Sequence, residues 1–270
     1  MKSQAGYDAP IESLKAGRKV FYRYSDKEFS ILKQPLNPAE REVLVEALET
    51  LSRMNNLPGF DWVNTIQTKL NSGLNLSNQE NQIISFEDNE FLKGLEFLNP
   101  LYQFTSNSQC LDITYKGFSS VRESLFTISP YYLKQYNNRW FLFGHNHKVE
   151  KIQNLALDRI VEIKISKSNF ENSSIDFNEY FEDIIGVSND LSSDPVKVKI
   201  QLSENIIPYI TSKPLHGSQL IKENILYLEV KLNYELESLI LSYGDNMQVL
   251  EPIELVHSIK ERVEQLNSFY

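Results

Sequence analysis

The sequence predicts an α+β chain built of small units: a helical connector, a small and strongly bent β-barrel, and a ferredoxin-like βαββαβ unit. Three patterns carry that prediction. Capped apolar stripes at helical spacing lie between 37 and 70. Short strand-like runs follow in quick succession between 111 and 165, and from 196 onward the order reads strand, helix, strand, strand, helix, strand. A chain of 270 residues is long enough for two or three such cores.

Residues 5–32 carry Gly6, Pro10 and Gly17 and then the run Lys19-Val20-Phe21-Tyr22-Arg23-Tyr24. A strand this short with a polar end buries little by itself, so it reads as a small β-wing whose supporting helices would lie upstream. A helix signal follows at Asn37-Pro38-Ala39-Glu40, with Asn as N-cap, Pro at the first helical position and Glu closing a capping box. Leu44, Ala47, Leu48 and Leu51 make its apolar stripe, and Pro58-Gly59 ends it. A second helix is expected over roughly 62–70, with Trp62, Val63, Ile66 and Leu70, before an Asn/Ser/Gln-rich linker that runs to Gln82. The pair reads as a connector or a dimerisation arm.

From Asn89 the pattern gives a short helix over 91–98, stopped by Asn99-Pro100. Leu111, Ile113 and Tyr115 then alternate with polar residues, followed by the Leu125–Ile128 run, a hairpin over 131–144, Ile152–Leu157, and Val161-Ile163-Ile165. Strands this short and closely spaced are expected to close on themselves as a barrel. In the hairpin, Asn137-Asn138 suits a two-residue type I′ turn, because Asn accepts positive φ. The register follows: Tyr132, Lys134 and Tyr136 face Phe143, Phe141 and Arg139 on one side, leaving Leu133, Gln135, Trp140 and Leu142 on the other. An aromatic face with cations beside it suits a planar anion such as a nucleotide. The competing reading is ordinary core, with Lys134 and Arg139 reaching out to water.

A polar crossing over 166–194 leads to the last unit. Strand Val196–Leu202, helix Glu204–Thr211, strands Gln219–Ile221 and Ile225–Leu232 paired across Glu223-Asn224, helix Leu236–Tyr243 and strand Gln248–Leu250 give the βαββαβ order. A final helix from Pro252 to about Phe269, striped by Leu255, Ile259, Val263 and Leu266, packs on this unit or on a partner chain.

Charge and chemistry narrow the function. Acidic residues outnumber basic ones 36 to 27, a net charge of −9, so the chain as a whole does not coat nucleic acid. Between Asp112 and Arg159 the balance reverses: Lys116, Arg122, Lys134, Arg139, Lys148, Lys151 and Arg159 face only Asp112, Glu123, Glu150 and Asp158. The single cysteine, Cys110, excludes an internal disulfide and a cysteine-based zinc site, fits a reducing, cytoplasmic setting, and reads as a small buried hydrophobe. Met1–Gly6 lacks the apolar run of a secretory signal, and no stretch approaches the roughly 20 apolar residues that span a bilayer, so no membrane partner is expected. No phosphate loop, nucleophile elbow, dinucleotide fingerprint or HExxH occurs, so no enzyme activity and no cofactor are expected. His145-Asn146-His147 presents alternate imidazoles, but with Glu150 as the one acid close in sequence an ordinary loop, not a metal site, is expected. Asp158 beside Arg159 reads as a structural ion pair that orients the guanidinium. His216 and His257 are isolated and carry no expected role.

Pro130-Tyr131-Tyr132-Leu133, Arg139-Trp140-Phe141-Leu142-Phe143-Gly144 and Leu157-Asp158-Arg159-Ile160, in this order and spacing, resemble bacterial WYL-domain transcriptional regulators. Trp140-Phe141-Leu142 stands where that family has its Trp-Tyr-Leu triplet. The resemblance divides the chain into a winged-helix remnant (1–32), a helical connector (33–88), a WYL domain of Sm-like, SH3-type barrel form (89–186) and a C-terminal extension domain (187–270). It implies an effector sensor, commonly a homodimer, that binds a nucleotide or single-stranded nucleic acid and controls an attached winged helix-turn-helix, the part that touches double-stranded DNA. Only the final wing of that helix-turn-helix is expected here. The family often has Arg where Gln153 stands, so one anion-binding charge is missing. Under this reading the ligand-binding candidates are Tyr115, Tyr132, Lys134, Tyr136, Arg139, Phe141, His145, Gln153 and Arg159. The alternatives left open are a stand-alone nucleotide or oligonucleotide binder and a dimerisation module without DNA-reading activity.

Overall fold

A computed structural model describes residues 9–30, scattered positions between 36 and 47, and residues 92–270. The helix expected over 62–70, the linker after it and most of the connector lie outside the described residues. Two compact units emerge, 1–99 and 100–270.

In the first unit, β1 (Ile11–Ala16) and β2 (Lys19–Tyr24) form an antiparallel hairpin, in register from Ile11 opposite Tyr24 to Ala16 opposite Lys19. Gly17 takes the left-handed φ of 63° that so tight a turn requires. Every β2 residue is exposed, and Arg23 pairs with Glu12 across the strands. The capping box is present as expected: Asn37 N–H donates to Glu40 Oε2 (2.8 Å), and Glu40 N–H donates to Asn37 Oδ1 (2.9 Å).

The helix expected to stop at Asn99-Pro100 instead starts there. A 3-10 turn, Leu95–Phe97, runs into α1 (Leu98–Ser106), which passes through Pro100. Proline is tolerated in a first helical turn because the N–H it lacks would have had no intrahelical acceptor.

Strands β3 (Leu111–Tyr115), β4 (Ser124–Tyr136), β5 (Arg139–Asn146), β6 (Lys151–Ala156) and β7 (Ile160–Ile165) form one antiparallel sheet of order β6-β5-β4-β3-β7. The Leu125–Ile128 run and the first arm of the hairpin are a single long strand, β4, with a bulge between Pro130 and Tyr132. The hairpin register is the expected one: Tyr132 opposite Phe143, Lys134 opposite Phe141 and Tyr136 opposite Arg139. Asn137 and Asn138 both have positive φ, 48° and 57°. The last strand turns back beside the first, which curls the sheet, yet no ladder joins β6 to β7 among the described residues. An open sheet stands where a closed barrel was expected. Its β6 edge is met instead by the following segment, where Asn154 Nδ2 donates to the carbonyl of Val187 (2.9 Å).

After the polar crossing and its short helix α2 (Phe177–Glu182), β8 (Val196–Leu202), β9 (Leu220–Lys222), β10 (Ile225–Val230) and β11 (Met247–Glu251) form a second antiparallel sheet of order β11-β8-β10-β9. Helices α3 (Ile207–Ser212), α4 (Tyr234–Ser242) and α5 (Ile253–Asn267) follow β8, β10 and β11. Alternation on β8 and β10 sends Val198, Ile200, Leu202, Leu226, Leu228 and Val230 into a core shared with Leu236, Ile240 and Leu255. Asn233 caps α4 by accepting from Leu236 N–H (2.8 Å), and its amide donates to the carbonyls of Ile185 and Ser188. Lys231, 8% exposed, satisfies its ammonium on Asn189 Oδ1 and the Asp190 carbonyl. His216, given no role from sequence, bonds through Nε2 to the Glu182 carbonyl (2.6 Å). The segment 182–190 is thereby tied to the loop before β9 and to the β10–α4 connection as well as to β6.

Candidate functional site

The residues that looked like one surface fall into three groups along β5. Alternation puts Arg139, Phe141, Phe143 and His145 on one face of that strand. Each meets different neighbours.

In the middle, the aromatic face meets the chain's own rings. Tyr132 stacks on Phe177 with centroids 4.7 Å apart and planes 7° from parallel. Lys134 Nζ lies 3.4 Å from the centroid of Phe181, and burial pushes its pKa down. Phe143 is fully buried against Tyr180 and Phe181, and Tyr136 and Phe141 pack on the same cluster. Burial, with the charge of Glu235 second, raises the Tyr136 pKa. Helix α2 presents Phe177, Tyr180 and Phe181 to this face. Asp176 caps it by accepting from Asn178 N–H (2.8 Å).

At the hairpin end, cations gather. Arg139 Nε lies 3.1 Å from Asp158 Oδ2, and Arg159 Nε lies 3.9 Å from Asp158 Oδ1. Asp158 therefore serves Arg139 more closely than its sequence neighbour. Both guanidiniums approach one ring, Phe118: Arg159 Cζ at 4.5 Å from the centroid and Arg139 Cζ at 5.9 Å. Phe118 is 72% exposed. Tyr115 adjoins the group; burial raises its pKa and the Arg159 charge opposes that rise. Lys116 N–H donates to the Arg159 carbonyl (2.9 Å), which brings a further exposed lysine alongside. Arg159 Nε and Asp158 Oδ1 are buried without a hydrogen-bond partner among the described residues. The arrangement offers two planar cations beside an exposed ring. Such a set can stack a flat ligand and pair with its negative charge.

At the far end of β5, His145 Nε2 lies 3.2 Å from Glu150 Oε2 and 3.2 Å from Glu171 Oε2. Gln153, partly buried, accepts from the Asn146 side-chain amide, and Asn146 Oδ1 in turn accepts from Lys148 N–H (2.9 Å), shaping the turn that carries Glu150. Cys110 is buried, as expected, and burial pushes its thiol pKa up.

Of the nine candidates, Tyr115, Arg139 and Arg159 come together; Tyr132, Lys134, Tyr136 and Phe141 line the face under α2; His145 and Gln153 stand at the opposite end. Phe118 was missed. Its signal was a bulky apolar residue within Lys116-Gly117-Phe118-Ser119-Ser120, where a turn ordinarily carries small polar side chains.

A family model described as WYL domain matches residues 96–165, and one described as WCX domain matches residues 194–266. No curated protein matches the chain. Among solved structures, "Proteasome accessory factor B/C (PafBC) of Arthrobacter aurescens" is similar at 13% identity and a TM-score of 0.33, over 96% of this chain and 38% of that one. A second, titled "Crystal structure of a CRISPR Cas-related protein", is similar at 13% identity and a TM-score of 0.44, over 65% of this chain and 52% of that one. The chain thus spans well under two thirds of the length of either. No helix among the described residues is long and apolar enough to cross a membrane.

Proposed function

The chain carries a WYL domain followed by a WCX domain and so belongs to the WYL-domain transcriptional regulators; on that premise we propose that it senses a planar anionic effector, a nucleotide or single-stranded nucleic acid, at the hairpin end of its first sheet. The observation that carries the reading is the convergence of Arg139 and Arg159 on the exposed ring of Phe118. Tyr115, Arg139 and Arg159 contact the effector, with Phe118 as the stacking platform. Tyr132, Lys134, Tyr136 and Phe141 hold α2, and Gln153 supports the turn after β5. Binding is relayed through segment 182–190, which bonds to β6, to the loop before β9 and to the N-cap of α4, toward a winged helix-turn-helix whose wing is the β1–β2 hairpin.

The finer architecture belongs to the same reading. Residues 89–186 form an Sm-like unit, supported by a five-stranded meander whose last strand pairs with its first, and 187–270 a ferredoxin-like unit, supported by the β11-β8-β10-β9 order. Residues 33–88 connect them to the wing at 1–32. The protein works in the cytoplasm as a homodimer.

The test is fluorescence anisotropy with a short labelled single-stranded DNA across a salt series. Two phosphate contacts give a slope of log K against log salt of about −1.4, or a roughly sevenfold loss between 50 and 200 mM. Arg139→Ala with Arg159→Ala should remove that slope. An affinity that ignores salt, or that survives the double substitution, would end the proposal.

A further inference from the structure

The far end of β5 gathers groups that the sequence keeps well apart. Glu171 comes from the polar crossing, Cys110 from the residue before β3, Ser129 from β4 just ahead of its bulge, and His145, His147 and Glu150 from the end of β5 and its turn. The expectation of an ordinary loop rested on a single acidic neighbour in sequence; the fold supplies a second. The geometry points to a divalent transition-metal site, suited to Zn²⁺, formed by His145 Nε2, Glu150 and Glu171.

The three donor atoms all lie within 4.8 Å of one another, with the imidazole nitrogen 3.2 Å from each carboxylate. Donors about 2.0–2.1 Å from a tetrahedral zinc stand about 3.3 Å apart, and the two imidazole–carboxylate separations of 3.2 Å match that spacing. A proton serves the cluster less well. One ring N–H points in one direction, and the contact to Glu150 is the hydrogen bond, while the Glu171 oxygen lies at the same distance as an ion-pair contact. A neutral imidazole and two carboxylates carry the −2 charge that a divalent ion neutralises.

Glu171 is held in place from several sides, as metal ligands commonly are. Its N–H donates to Ser129 Oγ (3.0 Å), its carbonyl accepts from Tyr131 Oη (2.7 Å), and its second carboxylate oxygen lies 3.5 Å from His147 Nδ1. His147 is fixed in turn by Ser129 Oγ at 2.8 Å and Cys110 Sγ at 3.5 Å. His147 is a positioning residue for Glu171, and Cys110 stands behind it, outside the ligand set. The His145 side chain is 17% exposed, while Glu150 and Glu171 are 71% and 48% exposed, so the site opens to solvent and leaves a fourth position for water or an exogenous ligand. An ion here ties the polar crossing to the turn after β5.

The experiment is titration of the EDTA-dialysed full chain with Zn²⁺ by calorimetry, with Co²⁺ absorption in the visible as a readout that follows the ligand set itself. The expected result is one ion per chain, with Glu150→Gln and Glu171→Gln each weakening binding at least tenfold and shifting the Co²⁺ bands, and Cys110→Ser changing neither. Glu150 is mostly exposed, so Glu150→Gln keeps the fold, which circular dichroism verifies. Absence of stoichiometric binding, binding indifferent to both glutamate substitutions, or binding lost in Cys110→Ser while the glutamate variants retain it would each overturn the site.

Discussion

Asp158→Asn separates the electrostatics of the arginine cluster from its shape. The aspartate is 8% exposed and sits 3.1 Å from Arg139 Nε, so it competes with any anion for the same guanidinium. A phosphate pairing with Arg139 on its open side lies about 6 Å from the Asp158 carboxylate, and at an effective dielectric between about 40 and 80 the repulsion is roughly 0.7–1.4 kcal/mol. Removing that charge should therefore tighten binding of a short single-stranded DNA about three- to tenfold at low salt and steepen the salt slope by up to about 0.7. Asparagine retains an acceptor oxygen, so the arginines keep their orientation. The cost in folding stability should be only about 1 kcal/mol, because the Arg139 side chain is 40% exposed and solvent already screens the pair. Anisotropy titrations at 50 and 200 mM salt measure the first effect, and urea unfolding followed by tryptophan fluorescence measures the second. Unchanged or weaker binding in a variant that stays folded would show that Asp158 does not compete with the ligand, and the electrostatic account would fail.

Other perturbations probe the frame around the site. Gly144→Ala should destabilise by about 1–3 kcal/mol in urea, since the new Cβ would stand 2.6 Å from the Ser129 carbonyl oxygen and 3.2 Å from Pro130 Cα, backbone atoms that cannot swing aside; Gly217→Ala, with nothing within 4 Å, should be neutral or slightly stabilising. Phe181→Ala should cost about 2–4 kcal/mol and strip Lys134 of its ring partner, detectable as faster modification of that lysine by an amine-reactive reagent. Alkaline titration should show Tyr115, Tyr131, Tyr136 and Tyr180 ionising late, because burial raises each phenol. Their folded pKa values lie above the unfolded value of about 10, so the stability they contribute is complete below pH 10 and is lost as the pH climbs through the folded values. Lys134, whose pKa is lowered, works in the opposite sense and gains as the pH approaches about 10.5. With four phenols against one amine, the net change above pH 10 is a loss, and a rise in stability there would contradict the burial of the phenols.

Features whose causes are local were legible in the sequence. Asn137-Asn138 set a tight turn, and the turn set which side chains of β4 and β5 face each other, because strand side chains alternate with a period of two. The Asn37–Glu40 box and the strand-helix order of the last unit are local in the same way. One local reading went astray at Pro100, which stands equally well after a helix or inside its first turn.

What only the tertiary structure decided is what lies across from each face. The aromatic side of the hairpin carries no mark saying whether rings from outside or from α2, some 40 residues on, will cover it; α2 does. Phe118 joins the two arginines, and Glu171 reaches His145, through contacts between strands and a crossing segment that no periodicity encodes. Alternation determines the direction of a side chain from its immediate neighbours, whereas its partner depends on how separately formed elements pack, and that is settled only when the whole sheet has folded.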